Sequence, residues 1–284
     1  MILQEQLKNF SVYTNKKLLI IMLLGFASGL PRLLTLSTLS IWLFEMGISK
    51  TTIGLFTLVG LSYSLKFLWA PFIDSLKIPF FTNYLGRRRS WIILTQILLI
   101  SSLIFLGYSN PSVDLRLTVV AAVLVAFFSA SQDIVIDAFR VESLEKELYG
   151  AGAGMYVFGY RIGMLVAGAG ALYLATFYEW SIVYILMSLL ILIGSFAILF
   201  ASEPEQNSLI DTQKKKNIFH WFNDSVINPF RDFMKKGNWK IIILFVVLYK
   251  FGDALVSVMA NPFYLEMEFS KIEIANVSKF FGFI

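Results

Sequence analysis

The chain has no cysteine, a single histidine and few charged residues. Of its 284 residues, 15% are charged and 57% are hydrophobic, whereas a soluble domain has about 25% charged and roughly 45–50% apolar residues. Without cysteine there is no disulfide and no thiolate metal site. The histidine, His220, lies in a polar segment where we expect it to be solvated. No nucleophile–base set or metal-ligand cluster appears in the sequence. We therefore expect that the protein is not an enzyme and that it binds no cofactor.

The hydrophobic residues form blocks of about 20, the length that crosses a bilayer as a helix. The first 17 residues, MILQEQLKNFSVYTNKK, are polar and lack the short apolar core of a cleavable signal peptide. We therefore expect an integral membrane protein surrounded by lipid. The blocks predict seven spans, at residues 18–44, 51–73, 91–108, 116–139, 151–177, 181–201 and 239–265. They also predict the start of an eighth span near residue 274.

The positive charges lie at the ends of these spans. The net charge of +5 could indicate a nucleic-acid partner, but 16 basic residues lie in the N-terminal segment and the loops after spans 2, 4 and 6. Only Lys50, Arg116 and Lys271 lie on the other side. Because basic loops stay in the cytoplasm, we expect no nucleic acid and a multi-pass protein with a cytoplasmic N-terminus.

Two segments of the chain are similar to each other. LFEMGISK at residues 43–50 is followed at residues 264–271 by YLEMEFSK, so that Glu45 and Lys50 recur as Glu266 and Lys271, 221 positions later. Each copy follows a span, which is typical of the internal repeats of secondary transporters.

The repeat predicts four parts of the chain. These are a cytoplasmic N-terminus (1–17), a six-helix bundle (18–201), a cytoplasmic linker (202–238) and the start of a second bundle (239–284). The linker mixes aromatic and charged residues, so it is either an amphipathic helix on the membrane surface or a flexible connection.

A complete pair of bundles would have twelve spans and about 440 residues, which is twice the 221-residue offset. The chain ends 13 residues after the second copy, so we expect a C-terminally truncated transporter without spans 8–12. Three interpretations stay open. A second polypeptide supplies those spans, the chain is an inactive remnant, or it pairs with itself.

Span 4 contains a polar stripe. Asp133 and Asp137 are about 40° apart around a helix, and Arg140 is about 20° from Asp133. Gln132 is the neighbour of Asp133 in the sequence SASQDIVIDA. Ionisable residues inside a membrane usually face a cavity or one another. The two carboxylates could therefore hold and release a proton, or Asp137 and Arg140 could form a solvated pair at the cytoplasmic mouth.

Three other spans contain charges. Arg161 lies near the middle of span 5 and needs a carboxylate or an anionic ligand, for which Asp133 is the nearest candidate. Lys66, in span 2, could extend to the membrane interface. In span 7, Lys250 and Asp253 are three residues apart, which allows a local ion pair. The 221-residue offset aligns Asp253 with Arg32. Arg32 and Asp253 then face one central cavity, unless each pairs within its own bundle.

The chain resembles the AmpG-type muropeptide permeases of the major facilitator superfamily. The resemblance extends over nearly the whole chain and rests on FASGLP (26–31), KFLWAP (66–71), GRRRSW (86–91), SASQDIVIDA (129–138), GYRIGML (159–165), PFRDF (229–233) and YKFGD (249–253). Asp74 with Gly86, Arg87, Arg88 and Arg89 resembles the superfamily signature between spans 2 and 3, which structures the inner face, although the insert after the aspartate is longer here.

The resemblance implies an all-α polytopic protein with the major facilitator fold, here the first six helices, helix 7 and the start of helix 8. It implies proton-coupled import of anhydro-muropeptides across the bacterial inner membrane for peptidoglycan recycling. Substrate carboxylates then suit Arg32, Arg161 and Lys250, with Gln132 beside them. Proton coupling falls to Asp133, Asp137 or Asp253. The alternatives are a non-transporting remnant, a regulatory or split subunit, or an importer of another large organic anion.

Overall fold

The computed structural model describes residues 12–204, 223, 227–235 and 237–280, in which regular structure is helical throughout. Six helices in this part are long and apolar enough to cross a membrane. They agree with the first six predicted spans within a few residues. The six helices are α1 (Lys16–Glu45), α2 (Lys50–Leu68), α3 (Arg87–Tyr108), α4 (Leu115–Ser143), α5 (Lys146–Phe177) and α6 (Trp180–Leu199).

The seventh predicted span is a 28-residue helix, α7 (Trp239–Glu266). It is followed by α8, which begins as Lys271–Glu273 and continues as a π-helix over Ile274–Phe280. Short helices also form at Val12–Thr14, Ala70–Ser75, Phe81–Leu85 and Asn228–Met234. His220 and most of the linker lie outside the described residues, so its two predicted alternatives stay open.

Several of the long helices are interrupted. α1 breaks at Leu36, so that its two parts are Lys16–Thr35 and Ser37–Glu45. α2 consists of short α and 3₁₀ segments. α5 contains a π turn at Val166–Gly170, where the hydroxyl of Thr38 on α1 donates a hydrogen bond to the carbonyl of Ala167 (2.8 Å). Irregular backbone is tolerated at membrane depth where neighbouring helices satisfy its polar groups.

Glycines set the distance between α1 and α5. A Cβ added to Gly25 or Gly29 on α1 would lie 2.3 or 2.1 Å from a backbone oxygen of α5. A Cβ added to Gly159 or Gly163 on α5 would lie 1.9 or 2.3 Å from a backbone oxygen of α1. Both pairs are separated by four positions, so each helix presents one glycine stripe to the other. This close packing agrees with the role expected of small residues in membrane helices.

The turn after α1 and the turn after α7 have the same backbone conformation. Gly47 and Glu268, which are 221 positions apart, both have a positive φ, 74° and 65°. The N–H of Ile48 donates to Leu43, and the N–H of the equivalent Phe269 donates to Tyr264, at 3.0 and 3.1 Å. The repeat seen in the sequence is therefore also a structural repeat at these turns.

The signature between α2 and α3 forms a charged network. Arg88 donates hydrogen bonds to both oxygens of Glu142 (2.8 and 2.5 Å) and to Asp74 (2.5 Å). The Nη1 of Arg87 donates to the carbonyl of Asp74 (3.0 Å). The long insert after Asp74 does not prevent the contact, because the chain returns through the short helix Phe81–Leu85 to the start of α3.

Gly86 and Glu203 complete this network at the start of α3. The carboxylate of Glu203 accepts hydrogen bonds from the backbone N–H groups of Arg88 and Arg89. Gly86 has a φ of 86°, and a Cβ at this position would lie 2.4 Å from the side chain of Glu203. A negative charge at a helix N-terminus is favourable because the helix dipole is positive there.

Candidate binding site between α1, α2, α4 and α5

A polar cluster lies where α1, α2, α4 and α5 meet. The Nη1 of Arg32 donates a hydrogen bond to the hydroxyl of Tyr160 (3.4 Å). The guanidinium carbon of Arg32 also lies 5.9 Å from the ring centroid of Tyr63. The glycine stripes explain this meeting, because Arg32 follows Gly29 by three residues and Tyr160 directly follows Gly159. The cluster therefore presents one cation between two tyrosines.

Several buried polar atoms of this cluster have no hydrogen-bond partner within the described part of the chain. They are the hydroxyl oxygens of Tyr63 and Ser129, Oε1 of Gln132 and Oδ1 of Asp133. Gln132 is held by its amide nitrogen, which donates to the hydroxyl of Ser28 (3.3 Å). Buried polar atoms normally have partners, so this concentration indicates a place where a polar ligand, water or a proton binds.

Asp133 has charged neighbours on three helices. Lys66 on α2, Arg32 on α1 and Asp137 on α4 all lie close enough to affect its charge. Lys66 itself forms an ion pair with Asp137 (3.8 Å), so its side chain joins the stripe on α4 rather than extending alone to the interface. Trp69 also fixes α2 against α4, since its Nε1 donates to the hydroxyl of Ser131 (3.0 Å).

Arg161 lies outside this cluster, which corrects one prediction. We expected Asp133 to be its nearest partner, but the two form no ion pair among the residues that the structure describes. Arg161 is exposed on the same side of α5 as Val157 and Phe158. Successive residues of a helix point about 100° apart. Because Tyr160 faces Arg32, the next residue points away from the α1–α5 contact.

The end of the cluster nearest Arg140 combines charge and aromatic rings. Arg140 donates to Asp137 (3.2 Å), which agrees with the pair predicted there. Its guanidinium carbon also lies 5.0 Å from the ring centroid of Tyr156. Tyr156 and Tyr160 have ring centroids 6.1 Å apart, one helical turn along α5. These rings form an aromatic surface beside the charges.

Sequence reasoning did not identify the three tyrosines of this site. A signal was present, since Tyr156 and Tyr160 are four residues apart and Tyr63 precedes Lys66 by three, so each belongs to a polar face of its helix. On α7, the Nζ of Lys250 lies 5.5 Å from the ring centroid of Tyr249. The side chain of Asp253 is outside the described residues, and its proposed meeting with Arg32 stays a prediction.

Residues 21–284 match the family described as the Major Facilitator Superfamily. The anhydromuropeptide permease of Escherichia coli K12 is 40% identical over 275 residues, which covers 96% of this chain and 54% of the relative. The transporter named AmpG 4 of Rickettsia felis is 38% identical over 278 residues, covering 96% of this chain and 66% of the relative. The transporter named AmpG 1 of Rickettsia prowazekii is 35% identical over 311 residues, covering 97% of this chain and 68% of the relative.

Proposed function

Because the chain belongs to the Major Facilitator Superfamily, we propose that it serves proton-driven import of anhydromuropeptides across the bacterial inner membrane. Its relatives are transporters, and one of them is named for this substrate. The chain spans 54% of that permease. The observation that carries the proposal is the cluster in which Arg32 and the buried carboxylate of Asp133 lie together inside a bundle of membrane-length helices.

The substrate half of the proposal assigns Arg32 to a carboxylate of the ligand. A guanidinium can bind a carboxylate through two parallel hydrogen bonds. The rings of Tyr63 and Tyr160 flank Arg32 and offer apolar faces for the sugar, while Gln132 has a free acceptor for a hydroxyl or amide. Arg161 and Lys250, both exposed, are proposed as further contacts for anionic groups.

The coupling half assigns the proton to Asp133. When charged, its carboxylate attracts Lys66 and Arg32; when protonated, it releases them. Arg32 is then available to an anionic substrate, so proton binding and substrate binding support each other through one cation. Asp137 completes the relay towards the cytoplasmic end, because it lies between Lys66 and Arg140. Asp253 on α7 is proposed as the matching acid of the second bundle.

The test is uptake of labelled anhydromuropeptide by a permease-deficient strain that expresses this chain, with and without a protonophore. We expect uptake that the protonophore abolishes. Asp133→Asn should lower it by about tenfold or more, because loss of a charge-assisted interaction of about 1.5–3 kcal/mol corresponds to that factor. Asp114→Asn is the matched control: Asp114 caps the N-terminus of α4 outside the cluster, and asparagine caps equally well.

Two results would overturn the proposal as it stands. One is a stably inserted protein that accumulates no muropeptide, either alone or with a co-expressed polypeptide that contains the remaining spans, which would favour a regulatory or non-transporting role. The other is uptake that is unaffected by both the protonophore and Asp133→Asn. Uptake that requires co-expression of a polypeptide containing the remaining spans would assign the chain as one subunit of the importer.

A further inference from the structure

The two copies of the repeated motif pair with each other, and they do so crosswise. Lys50 of the first copy lies 2.5 Å from Glu266 of the second, and Lys271 of the second lies 2.9 Å from Glu45 of the first. The four residues are related by the same 221-residue offset. We propose that this reciprocal pairing is a latch, which closes the passage between the two bundles at the end opposite the basic loops. The inference rests on the proposed function in one respect, namely that the space closed by the latch is the transport passage.

Local helix stability does not explain the motif. In each copy the glutamate is the last residue of its helix and the lysine is the first residue of the next helix. A helix dipole favours positive charge at the C-terminus and negative charge at the N-terminus, so both residues stand at the unfavourable end. The serine before each lysine has a local role, since Ser49 and Ser270 accept the capping hydrogen bonds of α2 and α8. Among the described residues, the four charged side chains form their ion pairs across the two copies and not within either copy.

The two pairs differ in their surroundings. The side chains of Lys50 and Glu266 are 51% and 52% exposed, and exposed pairs contribute little. Lys271 and Glu45 are 20% and 28% exposed. Lys271 also donates to the carbonyl of Ala175 (2.7 Å) and lies over the ring of Trp180, whose Nε1 donates to Glu45 (2.8 Å). The less exposed pair, Lys271 and Glu45, therefore connects α1, α8 and the α5–α6 turn.

Beneath the latch, α7 packs firmly against α1. The amide nitrogen of Asn261, a buried residue, donates to the carbonyl and the hydroxyl of Ser37 (2.8 and 2.7 Å). Val258 on α7 and Ile274 on α8 belong to the same buried apolar cluster as Trp42. The first part of α7 differs, because residues 241–251 are exposed. Contact is concentrated at the latch end, as expected of a passage closed there.

The latch is suited to repeated opening. Both pairs lie at helix ends close to water, so their charges can be hydrated when they separate. An opening at this end must break two ion pairs and the contacts of Asn261 together, which makes the change cooperative.

The absence of cysteine permits a direct test. Gly60→Cys places one thiol three residues before Tyr63, where an added side chain meets open space. In membrane vesicles of the full chain, its rate of reaction with an impermeant maleimide, applied from the latch side, measures opening. We expect Lys271→Glu or Glu45→Lys to raise this rate by about tenfold. The exchange Glu45→Lys/Lys271→Glu should restore the slow rate. Lys50→Glu should have a smaller effect, and Arg116→Glu, on the same side, none.

A labelling rate that stays slow in both single reversals would overturn the latch. If the reversals fail to insert, Lys50→Cys/Glu266→Cys joined by a short bis-maleimide replaces them. The crosslink should form readily, because the closed latch holds positions 50 and 266 close together. Once it has formed, a substrate-sized probe applied from the latch side should no longer enter the passage. Absence of the crosslink, or a crosslink without effect on access, would refute the proposal. Uptake is not the readout, so a chain that fails to import muropeptide leaves this result intact.

Discussion

Arg88 illustrates how one residue can connect three helices. Its guanidinium bonds Glu142 on α4 through Nε and Nη2 and Asp74 through Nη1, while its own side chain is only 6% exposed. A planar guanidinium supplies donors in a fixed fork that a lysine cannot reproduce. These three hydrogen bonds satisfy the cation where it is removed from water, and they fix α3 against α4 at the basic end of the bundle.

We expect Arg88→Ala to destabilise the protein by about 2–4 kcal/mol, because the mostly buried carboxylate of Glu142 loses two hydrogen bonds and keeps the longer ion pair with Arg87 (3.7 Å). The value is below that of a fully buried pair, since Asp74 is 46% exposed. Arg88→Lys should retain only part of the stability. The measurement is the melting temperature of the detergent-solubilised protein, with the exposed Arg116→Ala as control. Equal melting temperatures for Arg88→Ala and Arg116→Ala would contradict this account.

Residue-level prediction from the sequence succeeded where angle and depth could both be counted. The stripe of Asp133, Asp137 and Arg140 follows from 100° per residue, and the structure places all three on one side of α4. For Arg161 only the depth was used, and the partner predicted for it, Asp133, forms no ion pair with it in the described part of the chain. Tyrosines inside spans were treated as apolar, so Tyr63 and Tyr160 were missed, although their hydroxyls belong to the site. Which helix faces which cannot be read from one helix alone.

At the scale of elements, the glycine stripes of α1 and α5 determine where the polar cluster forms. Added side chains cannot be accommodated by small shifts, because the obstructing atoms belong to the backbone. The break at Leu36 and the π turn at Val166–Gly170 lie along the same pair of helices. The lengths of the spans were predicted within a few residues, but these interruptions were not, because they depend on contacts between helices.

Gly159→Ala should therefore separate α1 from α5. The new Cβ would lie 1.9 Å from the carbonyl oxygen of Met22, and overpacking of this kind costs about 1–3 kcal/mol or more. The hydrogen bond between Arg32 and Tyr160 should be lost as well. Gly154→Ala is the matched control on the same helix, where a Cβ meets nothing within 4 Å.

Both variants can be compared by thermal denaturation in detergent and by labelled-substrate binding. Gly154→Ala should match or slightly exceed the wild-type stability, because alanine favours the helix. Equal behaviour of the two variants would show that α1 and α5 do not approach as closely as the structure indicates.

At the scale of the whole molecule, the repeat links sequence and architecture. The 221-residue offset predicted that α7 is the equivalent of α1, and the shared positive φ at Gly47 and Glu268 supports this relation. The sequence did not reveal that the lysine of each copy contacts the glutamate of the other. A repeat states which residues are equivalent, whereas the pairing depends on how the two copies are placed in space.

The repeat and the basic loops together predict how the molecule lies in the membrane. If the basic ends face the cytoplasm, the loops after α1, α3 and α5, and with them the latch, face the opposite side. Single cysteines introduce the only thiols in the chain. An impermeant maleimide applied to spheroplasts should label Val113→Cys and Tyr178→Cys, which replace exposed residues between α3 and α4 and between α5 and α6. Tyr84→Cys, at an exposed position before α3, should react only after permeabilisation.

The expected labelling pattern follows from the distribution of basic residues, so moving basic residues tests the assigned orientation. Orientation is set by Lys and Arg close to the ends of spans, and 16 such residues lie on one side against three on the other. Removing one of the 16 should leave the labelling unchanged, whereas moving several to the loop before α4 should produce a mixed population. Labelling of Tyr84→Cys in intact spheroplasts would reverse the assignment and would place the latch at the cytoplasmic end, where it would close the exit of an importer instead of its entrance.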